Sequence, residues 1–193
     1  MEMASATHQP IVSPMNFFTL TRWNHAIEHA TIHILSRMTP FTSMAGRSNS
    51  RGFYIYGDIP TEMVRQAVDE AIRRLRQGER QLAIHPNCGT NMLASAVLAA
   101  GGTMLGVTGT RGRGWIEQAP AGVLGALIGV VLGQLVGMRL QAKITTDADL
   151  PPVHVTEIER RQLGRRVFHW VGLAYAPLAE ATGQHPESPG ANR

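Results

Sequence analysis

The stretch MLASAVLAAGGTMLGVTG, residues 92–109, decides the fold: eighteen residues without a charge, inside a longer run (81–110) that has no Asp, Glu, Lys or Arg. As a helix rising about 1.5 Å per residue it would extend about 27 Å, close to the roughly 30 Å hydrocarbon core of a bilayer. A second segment, AGVLGALIGVVLGQLVGM at 121–138, is equally apolar, and Gln134 is its one strongly polar member. The basic, turn-forming RGRGWIEQAP (111–120) joins the two, so they are expected to form a transmembrane hairpin. Gly125, Gly129, Gly133 and Gly137 recur every fourth residue on one face, and the first segment offers Gly102 and Gly106. Small residues let helix backbones approach in lipid, so the spans should pack on each other or on a second copy. The alternative, two buried helices of a large soluble core, needs more covering chain than 193 residues leave.

Arginine placement orients the hairpin. Arg73, Arg74, Arg76 and Arg80 precede it and Arg139 and Lys143 follow it, against Arg111 and Arg113, partly offset by Glu117, between the spans. Positive charge stays on the cytoplasmic side, so a multi-pass protein of the bacterial inner membrane is expected, with both termini cytoplasmic. The net charge of +4 does not argue for nucleic acid, because the arginines cluster at 73–80 and 160–166 rather than among aromatic strands or along a recognition helix. The expected partners are a lipid bilayer, a second copy through the Gly-rich helix faces, and a peptide or protein substrate, with no nucleic acid. One cysteine, Cys88, excludes an intramolecular disulfide and fits a reducing compartment.

Around the hairpin the chain alternates helix and strand signals. Residues 1–12 read as a flexible leader, and Ser13 with Pro14 as the cap and first turn of a helix running to about Arg37. RGFYIYG (51–57) alternates like a strand; Met63, Ala67, Ala71 and Leu75 mark an amphipathic helix over 61–76, ended by Gly78; QLAIH (81–85) reads as a short strand. VHVTEI (153–158) reads as another strand that can join the sheet. VFHWVGLAYAPLA (167–179), with Pro177, reads as an amphipathic helix, Trp170 and Tyr175 suiting a membrane interface. The expected fold is α+β, a small cytoplasmic helix/strand domain with a two-helix hairpin. Its divisions are 1–12 leader, 13–90 site-bearing domain, 91–139 hairpin, 140–182 C-terminal strand and helix, and 183–193 disordered tail.

WNHAIEHATIH (23–33) brings chemistry to the first helix. At 100° per residue His25, Glu28, His29 and His33 share an arc of about 140°, with Ile27, Ala30 and Ile34 opposite. His25-x-x-Glu28-His29 is the HxxEH spacing, in which two histidines one turn apart bind one zinc and the glutamate stands beside the activated water as base. A polar helix face satisfied by water has the same pattern. HPNCGTN (85–91) adds His85 and Cys88 just before the first span, with Thr90 or Asn91 available to cap it. Cys88 there can be a metal ligand, a nucleophile, a redox thiol or a small buried hydrophobe. His154 and His169 read as ordinary polar residues.

Over residues 24–145, through NHAIEHATIHIL, AGRS with GFYIYG, LAIHPNCGTN and the Gly-rich hairpin, the chain resembles a family of uncharacterised bacterial membrane proteins catalogued as a domain of unknown function. It is also similar to a second uncharacterised bacterial membrane family, described as predicted metal-dependent enzymes, that pairs HxxEHxTI with HPxCGT. His25, Glu28, His29, Thr31 and Ile32 match the first element, and His85, Pro86, Cys88, Gly89 and Thr90 the second. The resemblance implies a metal-dependent membrane enzyme and no particular substrate. Soluble HxxEH peptidases take a third ligand from a glutamate on a later helix, and no such motif is present. Glu70, in VDEA, is the nearest candidate, and His85 or Cys88 the alternative.

Three functions follow from these readings. The first is a membrane-anchored hydrolase, peptidase-like, that uses zinc or another divalent transition metal on His25, His29 and His85 or Cys88, with His33 nearby and Glu28 as catalytic base. The second is a non-catalytic assembly module with a closed structural His/Cys site. The third uses Cys88 as nucleophile, with His85 or His25 as base and no metal.

Overall fold

The computed structural model describes residues 16–110, 112 and 114–175; the leader, residues 176–182 and the tail lie outside them. Helix α1 (Phe17–Met38) is capped by Asn16, its side-chain oxygen accepting the Phe18 N–H at 3.2 Å; Ser13 and Pro14, expected to open it, lie outside the described residues. It stops where Thr39 N–H closes on Leu35 O at 2.7 Å, one residue before Pro40, which disfavours helical backbone in its predecessor. Strands β1 (Ala45–Asn49) and β2 (Gly52–Tyr56) follow as an antiparallel hairpin turning at Ser50 and Arg51. Helix α2 (Thr61–Arg76) buries Val64, Ala67, Val68, Ala71, Ile72 and Leu75, and Gly78, at φ 92, supplies the left-handed turn after it.

Residues 81–85 are not a strand. A 3₁₀ turn (Arg80–Ala83) buries Leu82 and Ala83, and the carbonyls of Ala83 and Ile84 go to imidazoles of α1 instead of a ladder.

After the two long helices, β3 (Val153–Leu163) and β4 (Arg166–Tyr175) complete a four-stranded antiparallel sheet in the order β1-β2-β4-β3. β4 corrects the amphipathic helix expected over 167–179 as far as Tyr175; residues 176–179, with Pro177, lie outside the described residues. It lies between β2 and β3, where a run such as VFHWV can be buried on both faces, and its aromatic and β-branched residues suit that pleat. Phe53 and Ile55 of β2 and Val171 and Leu173 of β4 pack with Ile27, Ala30 and Leu35 of α1 and the apolar face of α2.

Helix α3 (Gly89–Thr108) is capped at Cys88 rather than at Thr90 or Asn91. Helix α4 (Trp115–Leu140) begins inside the segment expected to be loop, with Pro120 within it, and passes directly into a π-helical turn (Gln141–Thr145). The glycine faces meet each other. A Cβ on Gly102 would overlap the Gly125 carbonyl and the reverse; Gly129 lies against Leu98, Gly133 against Ser95 and Gly137 against Asn91. The outward faces carry exposed Leu93, Val97, Leu105, Leu124, Leu127 and Val131. Both helices are long and apolar enough to cross a membrane, and only 11% of the most apolar part of α3 and 22% of that of α4 is buried, unlike core helices of a soluble domain.

Candidate metal centre

Residues far apart in the chain converge where α1 meets the roots of α3 and α4. His25 Nδ1 lies 3.0 Å from the carbonyl of Thr145, in the turn that ends α4, and His29 Nδ1 lies 2.7 Å from that of Ala83. A carbonyl only accepts, so each Nδ1 carries a proton, and in the neutral ring the lone pair is then on Nε2. This is how outer partners prepare histidines for a metal. Cys88 Sγ lies 3.6 Å from His25 Nε2. Bonds of about 2.1 Å to nitrogen and 2.3 Å to sulfur put two ligands of one tetrahedral zinc about 3.6 Å apart. His25, His29 and Cys88 offer ligand atoms all within 4.8 Å of one another, and the group could hold a metal ion.

Burial pushes the Cys88 thiol up, but His29 beside it and hydrogen bonding from Thr90 outweigh that and hold it below its ordinary value, toward the thiolate a metal needs. Glu28 is buried on the β1 side of the same helix. Burial raises its carboxyl above the ordinary range, against opposing pulls from the Ser48 hydroxyl, which donates to Oε2, and from His25. Gly46 leaves it room, since a Cβ there would overlap the carboxylate. Two clefts of about 490 Å³ each are lined by His25, Glu28 and Cys88.

The other expected residues are placed differently. His85 lines one cleft but stands outside the group of three, its ring centroid 5.8 Å from that of His29. Its Nδ1 accepts the Asn87 N–H at 3.2 Å. Burial, then the neighbouring His33 and His29, push it down to about 4, so it is neutral near pH 7. His33 gives its Nε2 to Ile84 O at 2.9 Å and packs on the His85 ring at 4.8 Å. Glu70 pairs with Arg73 at 2.6 Å on α2 and takes no part.

Residues 20–158 match the family described as a domain of unknown function, DUF6391. The chain belongs to the DUF6391 family. His25, Glu28, His29, His33, His85, Cys88 and both long apolar helices lie inside the matched region, and β4 lies beyond it. The chain is also 37% identical over 89 residues to an uncharacterised protein of the cyanobacterium Picosynechococcus sp. (strain ATCC 27264 / PCC 7002 / PR-6), a match covering 42% of this chain and 43% of that one. It therefore spans less than half of that relative's length. No solved structure matches the DUF6391 chain.

Sequence reasoning missed a polar network behind the centre. Buried Gln141 accepts the His85 N–H at 2.9 Å and donates to Asn91 Oδ1 at 2.7 Å; Asn91 donates to Pro86 O at 2.9 Å and to Gln134 Oε1 at 3.2 Å. It pins the HPNCGTN turn to α4. Gln134, isolated in an apolar span, was its one visible signal.

Proposed function

We propose that this DUF6391 protein is a membrane-anchored, zinc-dependent hydrolase that cleaves peptide bonds. The observation that carries the reading is the group His25, His29 and Cys88 opening onto clefts that Glu28 also lines, as a catalytic metal site with a free position requires. Two imidazoles and a thiolate suit zinc and not the oxygen-seeking calcium or magnesium.

His25, His29 and Cys88 would hold a divalent ion, which would supply the charge that polarises the scissile carbonyl and the attacking water. Glu28 takes one proton from the water as its oxygen bonds to the carbonyl carbon, and delivers it to the leaving nitrogen as the carbon–nitrogen bond breaks. The products are a carboxylic acid and an amine. Ser48 and Gly46 position Glu28; Thr145 and Ala83 orient the two imidazoles.

The hairpin anchors the centre to the bacterial inner membrane, with both ends of the chain on the cytoplasmic side. The unburied apolar faces of α3 and α4 and the arginines flanking them support this. A second copy would dock on those outer faces, because the glycine faces are spent on α3–α4 packing.

One observation favours a closed structural clasp: the group joins α1 to the roots of both apolar helices. X-ray absorption at the zinc edge, with Glu28→Gln assayed beside it on a peptide library, separates the readings. Three protein ligands plus one oxygen, and hydrolysis lost in Glu28→Gln with zinc retained, supports the hydrolase. Four protein ligands, or full activity without the carboxylate, overturns it.

A further inference from the structure

β1 has one strand neighbour among the described residues, β2, so it forms a margin of the sheet and carries a row of backbone groups outside the ladder. In the two-residue hairpin Asn49 pairs with Gly52, Ser48 with Phe53, Arg47 with Tyr54 and Gly46 with Ile55. Hydrogen-bonded and non-bonded pairs alternate from the turn, which directs the N–H and C=O groups of Gly46 and Ser48 away from β2. These two residues also touch the base: the Ser48 hydroxyl donates to Glu28, and Gly46 has no room for a Cβ beside its carboxylate.

The free edge runs past the whole centre. Residues 42–46 line one cleft, residues 46–48 the other, and His25, Glu28 and Cys88 line both. The shared lining joins the two clefts along β1 and the three residues before it, with His25, Glu28 and Cys88 where they meet and His29 on one side. Beyond them apolar side chains stand among polar ones in the walls, Ile32 and Met92 on one side and Phe18 and Ile144 on the other, with Phe18 71% and Ile144 60% exposed.

Resting on the hydrolase reading, we propose that the substrate is an extended polypeptide segment that adds to β1 as a further antiparallel or parallel strand, its scissile carbonyl set over His25, His29 and Cys88. A row of alternating donors and acceptors is complementary to another strand's backbone, and strand addition reads main chain rather than sequence. Glu28 lies on the face of β1 at the same two residues, Gly46 and Ser48, so a peptide held by the edge would run beside the base. Side chains of the added strand alternate between the cleft walls, and those reaching Phe18, Ile144 or Met92 are apolar.

The test measures binding to wild-type, zinc-loaded protein in detergent, with acetohydroxamate and with hydroxamate-capped leucine–alanine peptides of one to four residues, each amide N-methylated in turn. Acetohydroxamate reports on the metal centre alone. The expected result is affinity that rises with peptide length, and a loss of about tenfold on N-methylation of every second amide with little effect at the amides between, the equivalent of one backbone hydrogen bond each. Acetohydroxamate binding with no gain from length, or with no alternation, overturns strand addition and leaves the hydrolase standing, whether a second copy's β1 holds the edge or the peptide approaches elsewhere. Failure of acetohydroxamate itself to bind overturns the hydrolase site and the peptide edge with it.

Discussion

His25 Nε2 and Cys88 Sγ lie 3.6 Å apart although 63 residues separate them in the chain. One sits mid-way along a helix of the α+β core and the other caps the first apolar helix. Their approach is fixed from both sides. The Thr145 carbonyl orients His25 from the end of α4, and Gln141 holds the turn that carries Cys88. The candidate centre thus depends on how the hairpin roots seat against α1, and a fault in that seating reaches its three side chains without touching them.

Gln141→Leu tests that dependence. The substitution leaves the His85 N–H and Asn91 Oδ1 without their partner in a buried place, which costs about 1–3 kcal/mol. The expected outcome is a lower melting temperature in detergent and weaker zinc affinity, since partners behind a metal site commonly contribute 10–100-fold. Unchanged zinc affinity in a correctly folded variant would place the network outside the centre's support.

The hairpin gives a paired comparison. Gly102→Leu forces a side chain into the Gly125 backbone, whereas Gly101 has nothing within 4 Å of a Cβ. Gly102→Leu is expected to destabilise the hairpin by about 1–3 kcal/mol, read as lost thermal stability and increased proteolysis near the spans. Gly101→Leu should behave as wild type, and equal damage from both would contradict the packing.

The fold is legible where one periodicity dominates. Met63 to Leu75 announce α2, and the charge-free run announces α3 and α4. β4 is not, because a strand buried on both faces loses its alternation and reads as an apolar run that a helix would also show. β1, AGRSN, contains no apolar residue larger than alanine, and its place comes from pairing with β2 and packing on α1. Of the candidate site, the helical arc shows His25, Glu28 and His29 together, while the placing of Cys88, rather than His85 or Glu70, beside the two imidazoles depends on how the turn enters α3. The carbonyls of Thr145 and Ala83 leave no mark in a sequence at all.

His169 gives a pH test remote from the centre. It is fully buried on β4, its Nε2 is 3.1 Å from the Thr61 hydroxyl, and its Nδ1 has no partner among the described residues. Burial, then Arg160, push its pKa down against the pull of Asp58. The folded state therefore binds its proton less readily than the unfolded state, so stability from this residue is complete above the unfolded value of about 6.5 and falls as pH drops through and below it. Denaturation between pH 7 and 5 should show that slope, to which His85 also contributes, and His169→Gln should reduce it. An unchanged slope in the variant would assign the pH dependence to other groups.

The most direct measurement is the metal content of the detergent-purified protein by plasma mass spectrometry, wild type beside the double variant His25→Ala with His29→Ala. The expected result is close to one zinc per chain in the wild type and none in the double variant, both folded. Folded wild-type protein without metal, or zinc retained after both imidazoles are gone, would contradict a metal centre at His25, His29 and Cys88.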